Sequence, residues 1–259
     1  EDITLFSPHD VPGLYEAFGM PEFDEMYEMY ERKTSISKTK IKAQLLFMDL
    51  LKERAETGRI YIMNIDHCNT HSPFKDKVYM SNLCQEITLP TKPIQHIDDA
   101  EGEIALCILS AVNLGLIRDK TDLEELCDLS VRALDEIIDY QEYPVEAARI
   151  STESRRSLGV GYIGLAHYLA KNHVKYDDKE ALMLVDEVTE AFQYYLLKAS
   201  NTLAQEKGKC DWFDKTKYSD GILPIDTYKK DLDKIVKRKL SYDWKSLRKD
   251  IQEHGLRHS

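Results

Sequence analysis

The sequence has no run approaching the roughly 18 apolar residues that a membrane-spanning helix needs, which sets aside a membrane-embedded role. It also has no basic run. Against 46 Asp and Glu stand only 35 Lys and Arg, a formal net charge of −11, which disfavours binding to a nucleic-acid polymer or an anionic membrane surface. Net charge does not decide the binding of a small anionic nucleotide, which a local helix N-terminus can hold. Cysteine is sparse too. The five, at 68, 84, 107, 127 and 210, are odd in number and form no CxxC pair, so reduced thiols in the cytoplasm fit better than a disulfide framework. Internal repeats, low-complexity tracts and long linkers are missing. So are an initiating methionine and a signal peptide, and the chain stops at Ser259 soon after a helix-ending Gly255. These ends suggest a middle piece of a larger protein, though 259 residues suffice to bury a sizeable core.

What is present centres on Ser81-Asn82-Leu83-Cys84-Gln85-Glu86. Pro90 and Pro93 follow closely and oppose a helix, so an extended backbone is expected. Alternation would then place Asn82, Cys84 and Glu86 on one side. On a helix, positions 84 and 86 would diverge by roughly 200°. One extended face would offer an amide, a thiol and a proton acceptor to a single bound molecule.

Around this stretch the pattern predicts an αβ rhythm. Residues 1–19 read as loop with a short helical turn. Ile41, Leu45, Met48, Leu51 and Ala55 predict a helix over 36–57 stopped by Gly58, and residues 59–65 predict a strand. Segment 66–77 contains His67, Cys68 and His71; Asn69, Ser72 and Pro73 favour a hydrogen-bonded loop over a zinc site. Residues 98–103 read as a solvated polar turn, and 104–109, with Cys107, as a buried strand. Thr121 and Glu124 form a candidate capping box for a helix burying Leu123, Leu126, Ser130, Leu134, Ile137 and Ile138. Gly159-Val160-Gly161-Tyr162-Ile163-Gly164 matches a dinucleotide fingerprint, but the polar lead-in Ser154-Arg155-Arg156-Ser157 is wrong for it, leaving close helix packing at small residues. A long helix is expected over 181–206, in which Tyr194 and Tyr195 serve packing rather than radical transfer. Further helices are expected over 232–236 and 244–254, the second capped by Ser241 and stopped by Gly255.

Asn82-Leu83-Cys84-Gln85-Glu86 followed by Leu89-Pro90-Thr91-Lys92-Pro93 resembles the finger loop of the class I ribonucleotide reductase large subunit. Stretches in the same order agree with that family, among them Asp66-His67-Cys68-Asn69-Thr70-His71, Tyr194-Tyr195-Leu196-Leu197-Lys198-Ala199-Ser200 and Gly221-Ile222-Leu223-Pro224-Ile225-Asp226-Thr227-Tyr228. The resemblance runs nearly end to end. It implies a helix-rich α/β fold: residues 1–259 would be the central part of the ten-stranded catalytic α/β barrel, with the finger at about 78–93. An N-terminal nucleotide-sensing domain and the C-terminal part of the barrel would lie outside this chain.

The resemblance also implies a chemistry. Ribonucleoside diphosphates are reduced to 2′-deoxyribonucleotides, the precursors of DNA. Cys84 matches the thiyl radical that removes the 3′ hydrogen, Glu86 the base for the 3′-hydroxyl proton, and Asn82 an amide that binds substrate hydroxyls. Cys107 matches one of two cysteines that close to a redox-active disulfide, its partner being outside the chain. No metal is expected in this segment. The implied partners are a small subunit with a diiron-tyrosyl radical source, thioredoxin or glutaredoxin, a second large subunit in a homodimer, and the N- and C-terminal segments. ATP and deoxynucleotide effectors would act elsewhere on this allosteric enzyme, in the cytoplasm or, for a viral protein, the host cytoplasm. This chain alone is expected to be inactive. Two other readings, a non-catalytic scaffold and a related radical enzyme of glycyl or cobalamin type, fit the intact residues and the long similarity less well.

Overall fold

Phe23, Met26, Tyr27 and Tyr30 recur at helical spacing behind an acidic first turn of Glu22, Asp24 and Glu25, and the computed structural model forms helix α1 there, Glu22–Arg32. The structure describes residues 1–119, 121–234 and 239–259. The chain divides into two units, Glu1–Ser72 with Val78–Thr88, and Pro73–Lys77 with Leu89–Ser259.

In the first unit, strand β1 (Asp2–Phe6) pairs antiparallel with β2 (Lys38–Lys42), Asp2 opposite Lys42 and Phe6 opposite Lys38. Residues 1–19 therefore contain a strand besides the expected turn. The helix expected from residue 36 starts only at 43, as α2 (Ala43–Thr57). Lys38-Thr39-Lys40-Ile41-Lys42 alternates with period two, and pairing with β1 outweighs helical continuation. Gly58, at φ 66, ends α2 as expected, its N–H bonded to the Arg54 carbonyl. Helix α1 packs through the core of Val11, Leu14 and Tyr30, joined by Phe6, Phe23, Met26, Tyr27 and Ile36. The Tyr27 hydroxyl donates to the Thr4 carbonyl at 2.9 Å and the Tyr30 hydroxyl to that of Pro12 at 2.6 Å. By contrast, α2 buries none of its residues.

Two expectations fail next. Residues 59–64 form no strand and join no ladder, and Ile65–His71, expected to end a strand and open a loop, forms helix α3. Asn69, cited above as loop chemistry, instead donates to the Ile65 carbonyl at 3.0 Å one turn back.

The second unit holds strand β3 (Ile108–Asn113), parallel to β4 (Leu158–Ile163) with Ile108 opposite Leu158. Helices α4 (Thr121–Tyr140) and α5 (Glu146–Arg155) connect the two strands. The expected strand at 104–109 is thus shifted four residues onward, because its ladder partner begins at Leu158. Its run is not uniformly buried either, with Leu109 57% exposed. Glu103 is no solvated turn residue. Its backbone exchanges two 3.1 Å hydrogen bonds with Lys92, and its buried carboxylate meets Arg155 at 2.9 Å.

Helix α4 buries Leu123, Cys127, Val131, Leu134, Asp135 and Ile138, whereas Ile137, expected inside, is exposed and Leu126 and Ser130 are half-buried. The Thr121 N–H, which the expected capping box would give to Glu124, donates to Asp119 at 2.8 Å, as does the Thr121 hydroxyl at 2.5 Å. After α6 (Leu165–Lys171), the long helix is α7 (Lys179–Lys207). Its Val188, Ala191 and Phe192 share a core with Leu123, Cys127 and Val112, and its Ala199 and Leu203 share another with Val131. Helix α8 (Trp244–His254) is capped by Asp243, which accepts from the Ser246 N–H at 3.0 Å, not by Ser241. The expected helix over 232–236 falls on a 3-10 turn, Lys230–Lys234, with 235 and 236 outside the described residues. Tyr194 stacks on Tyr242 at 4.7 Å and meets Trp244 at 5.3 Å, which accords with packing.

Candidate functional site

Helix α3 anchors the start of the loop that carries the candidate residues. The Asn69 side chain donates to the Val78 carbonyl at 3.0 Å and accepts from the Val78 N–H at 2.8 Å. It thereby satisfies both backbone groups of a buried residue as a neighbouring strand would. Tyr79 stacks on Tyr15, ring centroids 5.8 Å apart. Asn69 was overlooked as a positioning residue because a side chain that mimics a strand leaves no periodic signal.

From Val78 the chain enters a closed turn rather than the extended face that alternation predicted. The Gln85 N–H donates to the Asn82 carbonyl at 3.1 Å, the Asn82 N–H to the Ile87 carbonyl at 3.3 Å, and the Ile87 N–H to the Asn82 side-chain oxygen at 3.0 Å. Gln85 adopts φ 63, a left-handed conformation uncommon outside glycine. The reversal falls between Cys84 and Glu86, so the two-residue repeat on which the common face rested is broken. The physical reason is local: an Asn side chain accepting from a backbone N–H competes with strand geometry and closes turns. Asn82, Cys84 and Glu86 are nonetheless gathered in one six-residue loop, and all three are exposed. With its oxygen engaged at Ile87, Asn82 presents its NH2 as a donor.

Cys107 belongs to the second unit, one residue before β3, where the Ile108 N–H donates to the Ser157 carbonyl at 3.3 Å. It is half-buried, and burial raises its thiol pKa. Cys127 and Cys210 are fully buried, and desolvation pushes their thiols up to about 12 and about 11. Both behave as small core residues. Among the described residues no group of three or more His, Cys, Asp and Glu is placed to hold a metal. His67 and His71 do share a face of α3, ring centroids 6.2 Å apart.

The second unit is held by buried charge. Arg155 joins Glu103 at 2.9 Å and Asp76 at 2.7 Å, and lies over the Trp212 ring at 4.7 Å. Asp135, fully buried, meets Arg156 at 2.5 Å, Arg257 at 3.0 Å and His258 at 3.2 Å. Burial alone would raise its pKa; the His258 hydrogen bond and the two guanidinium charges outweigh that and hold the carboxyl well below the usual range. Burial lowers the pKa of His258.

Residues 1–259 match the family described as "Ribonucleotide reductase, barrel domain". The chain belongs to that family. A ribonucleoside-diphosphate reductase subunit alpha from Haemophilus influenzae is 60% identical to it over 263 residues, covering 100% of this chain and 35% of the relative. The ribonucleoside-diphosphate reductase 1 subunit alpha of Escherichia coli K12 is 57% identical, again over 100% of this chain and 35% of its own length. The subunit alpha of Enterobacteria phage T4 is 43% identical over 99% of this chain and 34% of the relative. The chain thus spans about a third of the length of these curated relatives. The reductase resemblance read from the finger is met, as is the helix-rich α/β class. No helix among the described residues is long and apolar enough to cross a membrane.

Proposed function

We infer that this chain is the central segment of the ten-stranded catalytic barrel of a class I ribonucleoside-diphosphate reductase large subunit, with residues of about 78–93 as the finger. The observation that carries this is the match over residues 1–259 together with Asn82, Cys84 and Glu86 in one exposed loop. Cys84, as a thiyl radical, takes the 3′ hydrogen of the ribose. Glu86 takes the 3′-hydroxyl proton, and the Asn82 NH2 binds a substrate hydroxyl. Cys107 and a second thiol from elsewhere in the subunit give one disulfide, two protons and two electrons. Both electrons and both protons pass to the nucleotide as its 2′-hydroxyl leaves as water, after which Cys84 returns the hydrogen to C3′ and Glu86 the proton to the 3′-oxygen, restoring the thiyl radical. Thioredoxin or glutaredoxin then restores the pair by thiol exchange.

The radical comes from a small subunit with a diiron-tyrosyl centre, so this segment needs no metal of its own. The remaining two thirds of the large subunit supply the second reducing thiol, the substrate phosphate site and the nucleotide effector sites that make the enzyme allosteric. Two large subunits pair in the working enzyme, which acts in the cytoplasm, or the host cytoplasm if the source is viral. The test is to co-express the other large-subunit segments with and without this chain, add small subunit and thiol reductant, and assay diphosphate reduction. Activity is expected only when all parts are present. Reduction by this chain with small subunit and reductant alone would overturn the reading.

A further inference from the structure

Gly159 lies within β4, where a glycine is weaker than alanine and needs a reason. The backbone supplies none, since Gly159 is not among the glycines of positive φ. Its surroundings do. A Cβ built there would lie 2.4 Å from Leu109 Cδ2 and 3.1 Å from Cys107 Sγ. The first contact is cheap to relieve, because Leu109 faces Gly159 across the ladder with an exposed, freely rotating end. The second involves a short side chain held in place, since Cys107 is half-buried and followed directly by the β3 ladder. Gly161 is a built-in control: two positions along the same strand, its Cβ would meet nothing within 4 Å.

We propose that Gly159 is a positioning residue for the Cys107 thiol, the missing side chain being the space in which the sulfur sits. This rests on the reading of Cys107 as a reducing thiol and deepens it: a sulfur that must meet a second thiol to close a disulfide needs a fixed starting place with free volume beside it. A methyl group at 159 takes part of that volume, so that the sulfur must give way by a few tenths of an ångström.

The test uses the 259-residue chain and reads the rate of iodoacetamide alkylation at each cysteine by peptide mapping. In Gly159→Ala, alkylation of Cys107 should quicken roughly fivefold or more, the scale on which one added methyl displaces a packed neighbour, while Cys127 and Cys210 stay protected. Gly161→Ala should match the unsubstituted chain. The double variant Gly159→Ala, Leu109→Ala removes the 2.4 Å contact and should retain the faster rate. An unchanged Cys107 rate in Gly159→Ala, or loss of the effect in the double variant, overturns the proposal. If Gly159→Ala fails to fold, it is read in a Cys107→Ala background: recovered protection of Cys127 supports the sulfur contact, and continued misfolding overturns it. Turnover does not enter these readouts. Sustained reduction by a reconstituted Cys107→Ser enzyme would refute the role of the thiol and leave its placement standing.

Discussion

The two units differ in what holds them. The second has its own cores on α4, α7 and α8, with buried ion pairs at Asp135 and Arg155. The first has one small core under α1 and a helix, α2, none of whose residues is buried, with Leu45, Phe47 and Met48 each more than half exposed. Cys84 lies in the sparsely packed unit and Cys107 in the densely packed one. Substitutions in the loop around Cys84 should therefore act on chemistry and spare the fold, while substitutions in the second unit should act on the fold first.

The largest effect is expected from Cys84→Ser in the reconstituted enzyme. A hydroxyl keeps nearly the shape of the thiol but forms no comparable radical, so deoxynucleotide formation should vanish while thermal stability and substrate binding stay unchanged. A drop in stability would break the contrast between the units. Glu86→Gln comes next, with a single-turnover slowing of roughly 10²–10⁴ expected for loss of a general base and again no change in melting. An unchanged rate would move the base elsewhere.

In the second unit, Asp135→Asn should destabilise toward the low end of the about 3–5 kcal/mol expected for breaking a buried pair, because Arg156 and Arg257 lose their buried partner and keep only the half-exposed Asp139, measured by denaturant unfolding. Its pH dependence is fixed in sign. The folded carboxyl has a depressed pKa, so its stabilisation is fully present above the unfolded value of about 3.9 and is lost as pH falls through the folded one. The unsubstituted chain should lose stability in acid more steeply than Asp135→Asn. Finally, Leu203→Ala, at a residue 1% exposed, should cost about 2–5 kcal/mol. Leu45→Ala, at a residue 64% exposed, should fall within about 0.5 kcal/mol.

The same contrast explains what the sequence revealed. Helices α4, α7 and α8 were legible because their apolar side chains face cores of the same unit, so periodicity and burial coincide. The stop at Gly58 was legible from chain chemistry alone. Helix α2 was read from an apolar repeat whose Leu45, Met48 and Leu51 the structure leaves exposed, and β2 was absorbed into it because strand pairing with β1 is not a local signal. Around the site, residue identities were plain from the family pattern, but conformation was not. One Asn82 side-chain hydrogen bond to Ile87 and a left-handed Gln85 turn the expected extended face into a closed loop. The glycines at 159 and 161, expected at a close helix contact, lie inside strand β4. Gly159 meets the sulfur of Cys107 and the side chain of Leu109 from within a strand rather than a packed helix, a meeting set by ladder register that spacing along the chain does not display.

The central claim is a division of labour, with Cys84 breaking the carbon–hydrogen bond and Cys107 supplying reducing electrons. The most direct measurement follows a labelled 3′ hydrogen of the nucleotide in the reconstituted enzyme. With Cys107→Ser, the label should still be released from carbon although sustained deoxynucleotide formation stops; with Cys84→Ser, no label should be released. Release with Cys84→Ser, or its loss with Cys107→Ser in a folded enzyme, would contradict the assignment of the two thiols.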